Sequence, residues 1–69
     1  MNLVELGTKC KELREQLGYF QSDVADEIGY SKETISSFEC GRNNNATILF
    51  WYIQHGLNIN EGGVENEGI

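Results

Sequence analysis

Basic residues are scarce in this chain. Five Lys and Arg face eleven Asp and Glu, a formal net charge of −6. Neutralising phosphates supplies much of the affinity of proteins for nucleic acid, so the balance argues against a broad cationic surface. It argues instead for an acidic face able to dock on a basic protein. The distribution softens the point. Glu61, Glu65 and Glu67 lie in a Gly- and Asn-rich C-terminal stretch, which leaves five basic against eight acidic residues in 1–60. Cysteine is sparse too. Cys10 and Cys40, the only two, form no disulfide framework pattern, fall at positions that read as core, and suit a reducing cytosol.

Other absences exclude whole classes of function. With one histidine, two distant cysteines, no glycine loop to cradle a phosphate and no paired carboxylates in a plausible cleft, no catalytic constellation can be assembled. The spacing of Cys10, Cys40 and His55 fits no zinc pattern. The expectation is no enzyme, no metal, no cofactor and no small-molecule substrate. Long apolar runs are missing as well: Ala46 to Ile53, with one Thr inside, is far short of the roughly 20 residues of a membrane span. The N-terminus lacks the basic segment and apolar run of a leader, so a cytoplasmic protein is expected.

What remains is short and helical. Sixty-nine residues make one domain, and a chain of this size buries only about 60% of its unfolded surface, so oligomerisation is the expected support. Leu3, Leu6, Cys10, Leu13 and Leu17, spaced 3, 4, 3 and 4, predict one buried face of a first helix. Asn2 and Glu5 can form its capping box, and Gly18 stops it. Lys9, Lys11, Glu12, Arg14 and Glu15 fill the other faces. A second helix runs from about Gln21 to Ile28 and ends at Gly29. Ser31 caps a third, about Lys32 to Glu39, closed by Gly41. Asn45 caps a fourth from Ala46 to about His55, and Gly56 terminates it. His55 reads as a polar cap rather than a ligand. Residues 1–60 form the domain, and 61–69 a flexible acidic tail.

The most specific stretch is 21–40. Two short helices meeting steeply need a small residue at the close approach, supplied by Ala25, and a turn residue tolerant of positive φ, supplied by Gly29. Val24, Ile28, Tyr30, Ile35 and Phe38 then provide the core contacts. With Leu13-Arg14-Glu15, Gly18, Gln21, Ser31, Thr34-Ile35-Ser36, Glu39, Gly41-Arg42 and Gly56-Leu57-Asn58, the pattern over roughly 5–60 resembles the helix-turn-helix of the Cro and C1 repressor family, the XRE-type regulators. The resemblance implies an all-α, compact four- to five-helix bundle, the lambda-repressor-like DNA-binding domain.

It also implies roles for individual residues. Gln21 corresponds to a glutamine that touches a phosphate beside the groove. Lys32, Glu33, Ser36 and Ser37, with Ser31 at the cap, lie on the helix that enters the major groove, where Lys32 can donate to guanine and Glu33 accept from cytosine. Arg42 and Asn43 match positions that hold the sugar–phosphate backbone. Arg14 and Glu39 match a structural ion pair.

Two features depart from the family. Phe20 stands where a Ser or Thr cap is usual, at a cost of about 1 kcal/mol. With Tyr19 it forms an apolar pair: either one of them staples onto the core, or the edge meets a protein. The fourth helix is apolar around its whole circumference, so Phe50, Trp51 and Tyr52 are expected to meet a second copy or another chain. The tail folding back is the other cover, and many relatives add a fifth helix after the Gly56-Leu57 turn. Asp23, Asp26, Glu27 and Glu33 are expected close enough to the groove to repel DNA. The partner is therefore either double-stranded operator DNA, bound by a homodimeric, phage- or prophage-encoded regulator in the host cytoplasm, or a repressor protein. In the second case the chain is a modulator of repression or antirepressor.

Overall fold

The structure, a computed structural model, describes residues 1–58. These hold four helices, α1 (Leu3–Leu17), α2 (Gln21–Ile28), α3 (Lys32–Glu39) and α4 (Ala46–Gln54), and no strand. The acidic stretch 61–69 and any helix beyond the Gly56-Leu57 turn lie outside the described residues.

Local chemistry explains the helix starts. Asn2 Oδ1 accepts the Glu5 N–H at 2.8 Å while Glu5 Oε1 accepts the Asn2 N–H at 3.0 Å, a reciprocal box opening α1. Ser31 Oγ accepts the Thr34 N–H at 3.2 Å to open α3. Asn45 Oδ1 accepts the Thr47 and Ile48 N–H groups at 2.9 and 3.1 Å to open α4. Helix α2 lacks this device because Phe20 carries no acceptor. Only the reverse bond remains, with Asp23 Oδ2 accepting the Phe20 N–H at 2.7 Å.

The turn joining α2 to α3 depends on Gly29, whose φ of +79° lies in the left-handed region. There the N–H groups of Gly29 and Tyr30 both return to Ala25 O, at 2.8 and 2.9 Å. Helices α2 and α3 pack on each other, α1 packs on α3, and α4 lies against α1 and α2. Their shared core is Cys10, Val24, Ala25, Ile35, Phe38, Ile48, Trp51 and Tyr52, with Leu6, Leu13, Tyr19, Ile28, Leu49 and Leu57 packed around it. Burying each large member contributes about 1.5–3 kcal/mol relative to exposure. The Phe38 and Tyr52 rings stack with centroids 6.0 Å apart.

Several positions differ from the sequence expectation. The buried line of α1 is Gly7, Cys10 and Arg14, not the leucine stripe: Leu3 and Leu17 are exposed, and Leu6 and Leu13 are half-buried. The cause is a close approach to α3. A Cβ on Gly7 would lie 2.2 Å from Glu39 O, so only glycine lets the two backbones meet. Cys10 is buried, whereas Cys40, at the C-cap of α3, is exposed and not core. Tyr30 sits at the rim, 37% exposed, with its hydroxyl accepting from Asn45 Nδ2 at 3.3 Å.

Helix α4 holds the largest correction. Trp51 and Tyr52 are 4% and 0% exposed and belong to this chain's own core, so they offer no surface to a second copy. Spaced 3 and 4 from Ile48, they make one inward stripe. Of the large apolar side chains of α4, Phe50 and Ile53 are the exposed ones, at 59% and 42%.

Candidate nucleic-acid interface

Helix α3 has two unlike faces. Inward, Ile35, Phe38 and Glu39 are buried. Outward, Lys32 and Glu33 are exposed and Ser36 and Ser37 are half-buried. Ser31 is committed to the cap, its Oγ also paired with Thr34 Oγ1 at 2.9 Å. Beyond α3, Arg42 is exposed. Asn43 is half-buried, donating to Thr34 O at 3.4 Å and accepting the Asn45 N–H at 3.1 Å, so it shapes the loop into α4.

Glu39 anchors the inner face. Its Oε2 faces Arg14 Nε at 2.8 Å, and its Oε1 faces Arg14 Nη2 at 3.2 Å and Gln21 Nε2 at 3.1 Å. Tyr52 Oη donates to Oε2. Arg14 Nη1 also donates to Tyr19 O at 2.9 Å. Burial is the strongest single influence on the Glu39 carboxyl and opposes its ionisation. The bonds from Arg14, Tyr52 and Gln21 together outweigh it and hold the carboxyl below its ordinary value. The Tyr52 hydroxyl is pushed well upward, first by burial and then by donating to Glu39. Burial, reinforced by the Glu39 charge, pushes the Cys10 thiol up to about 12, so it is inert at neutral pH. Gln21 thus arrives at the outer surface with one amide N–H already committed inward.

The spacing of Gln21 and Tyr52 gives no hint that they join the Arg14–Glu39 pair. A tyrosine in a wholly apolar helix does not reveal which neighbour its hydroxyl reaches. Gly7 did leave a signal, since an isolated glycine inside a helical pattern costs about 1 kcal/mol and calls for a packing reason.

The surface grooves separate the charges. Asp23, Asp26 and Glu27 line one cleft with Leu17, Gly18 and Tyr19. Glu27 Oε1 there accepts Trp51 Nε1 at 2.9 Å. Lys32 borders a different groove, of about 330 Å³, with Arg14, Phe20, Gln21 and Ser22 and no carboxylate in its lining. The three acids of α2 thus line a different cleft from Lys32, although Asp23 stays close to the Lys32 groove through its bond to the Phe20 N–H, and Glu33 is the acid on the outer face of α3. Tyr19 and Phe20 also part company: Tyr19 packs edge-on to Trp51 at 5.3 Å, while Phe20 is 74% exposed. His55, the C-cap of α4, donates from Nδ1 to Trp51 O at 2.7 Å and stacks on the Trp51 ring at 3.8 Å. Among the described residues, no cluster of His, Cys, Asp and Glu could hold a metal, and no helix is long and apolar enough to cross a membrane.

Residues 11–48, from the middle of α1 to the start of α4, match the sequence profile of the helix-turn-helix family. The chain belongs to the XRE-type helix-turn-helix family. This helix-turn-helix is a domain of the transcription-regulator type and not an enzyme. Two curated relatives are similar to it. Antitoxin HipB of Escherichia coli O6:H1 strain CFT073 is 34% identical over 55 residues, covering 80% of this chain and 58% of the relative. Antitoxin HipB of Escherichia coli strain K12 is 34% identical over 55 residues, covering 80% of this chain and 62% of the relative. The chain thus spans about three-fifths of the length of the curated relatives it matches. No solved structure matches it.

Proposed function

We propose that this helix-turn-helix regulator binds operator DNA in a sequence-dependent way, with α3 in the major groove. The observation that carries the reading is the outer face of α3 beside a groove without carboxylates, on a chain that is acidic elsewhere. Lys32 and Arg42 make no ion pair among the described residues, so both are available to phosphate or base edges. Glu33, Ser36 and Ser37 face the base pairs from the same side. Gln21, Ser31 and Asn43, held by Glu39, Thr34 and the α4 loop, present their remaining polar atoms to the backbone. The protein works in the cytoplasm as a homodimer on a two-fold site. Its half-sites lie about one helical turn apart. The copies meet through Phe50 and Ile53, the outward apolar residues of α4.

The test is a mobility shift on duplexes tiling the DNA around the chain's own coding sequence. Binding should fall steeply between low and moderate salt. No shift at low salt, with co-elution alongside a partner protein, sinks this reading.

That outcome would favour the second reading, a domain directed at a protein. Two observations support it: the acidic cleft of Asp23, Asp26 and Glu27, which suits a basic partner, and relatives that are named antitoxins. A repressor and a toxin are the partners of that reading.

A further inference from the structure

We propose that Phe20 is a DNA contact in its own right, an apolar anchor that packs on the deoxyribose edge of the duplex beside α3. The inference rests on the DNA-binding reading above and assigns a residue that reading does not use. Phe20 sits at the start of α2 with no capping bond from its side chain, and it is 74% exposed. A serine or threonine there would cap the helix, so the fold gains nothing from the ring. Its neighbour Tyr19 supplies the aromatic packing on Trp51, so the core does not need Phe20 either.

Its position fits a role in binding. Phe20 lines the same groove as Lys32, Gln21, Ser22 and Arg14, so a surface that meets Lys32 from that groove also meets the ring. The groove's charge selects the occupant. Its lining carries Lys32, no carboxylate, and Arg14, whose charge is already met by Glu39, whereas another cleft beside α2 carries three acids. Of the two, the groove with Lys32, unpaired among the described residues, is the one that suits a polyanion. Along duplex DNA the phosphates alternate with deoxyribose rings, whose C–H faces are the apolar surface between charges. Lys32 on a phosphate brings Phe20 beside such a sugar. The contact supplies affinity through area removed from water and releases no counterion.

The absence of counterion release makes the test specific. Phe20→Ser restores a helix cap, so the denaturant midpoint should hold or rise, while the Kd for the shifted duplex weakens roughly tenfold. The slope of log Kd against log salt should stay as in the unaltered protein, whereas Lys32→Ala lowers it by about one. Phe20→Leu, which keeps an apolar side chain, should retain most of the affinity. Unchanged affinity in Phe20→Ser, a loss matched by lost stability, or a changed salt slope would each overturn the proposal while leaving DNA binding intact. If the unaltered protein shifts no duplex, the proposal falls together with the DNA reading, and the two failures stay distinguishable.

Discussion

The two faces of α3 carry polar groups under opposite conditions. On the inner face the Glu39 carboxylate accepts from Arg14, Gln21 and Tyr52 and is buried. On the outer face Lys32 and Glu33 are exposed, with no ion pair at Lys32 among the described residues. A buried polar group must be bonded or it costs several kcal/mol, so the inner set ties the other three helices to α3. An exposed polar group is already satisfied by water and is free to exchange that water for a ligand. The inner face sets where α3 lies; the outer face is left to act.

Removing the hub should have the largest effect. Glu39→Ala strands the Arg14 guanidinium in the interior and should lower unfolding free energy by about 3–5 kcal/mol in urea titration. Gly7→Ala attacks the same contact from α1. Its new methyl would lie 2.2 Å from Glu39 O, so the backbones must separate, at about 1–3 kcal/mol by the same titration. Tyr52→Phe deletes one donor and leaves the packing, so a loss of about 1.5 kcal/mol is expected.

The hub should also respond to acid. Because the folded state holds the Glu39 carboxyl below its unfolded value, its contribution is present above the ordinary carboxylate range. That contribution is lost as pH falls through the folded value. A urea series from pH 7 downward should show that loss, and a Glu39→Gln chain should lack this component. The smallest effect on stability belongs to the outer face. Lys32→Ala should stay within about 0.5 kcal/mol in the same titration and show its effect only in DNA affinity and salt dependence. A large stability loss there would erase the contrast between the two faces.

Helix boundaries were legible because they depend on neighbours in sequence. Asn2, Ser31 and Asn45 each cap a helix through bonds two or three residues on, and Gly29 turns the chain locally. The helix-turn-helix spacing could be read for the same reason. Burial within a helix was less legible. The stripe of α1 placed its leucines inward, but the contact with α3 runs through Gly7 and Arg14, because a missing side chain permits an approach that a leucine would prevent. In α4 every residue from Ile48 to Ile53 is apolar or aromatic, so pattern alone could not separate the core residues Trp51 and Tyr52 from outward Phe50 and Ile53.

The sequence by itself determined four helices, their caps, the sharp turn at Gly29 and the family to which they belong. Each of these depends on backbone preferences and bonds spanning a few residues. Tertiary structure decided what lies far apart in the chain. It brought Tyr52 and Gln21 to the Arg14–Glu39 pair and put Trp51 inside. It turned the acids of α2 into a different cleft from Lys32. Such contacts depend on how the helices lie against one another, and that geometry is set by close approaches such as Gly7 on α3, which no local pattern encodes.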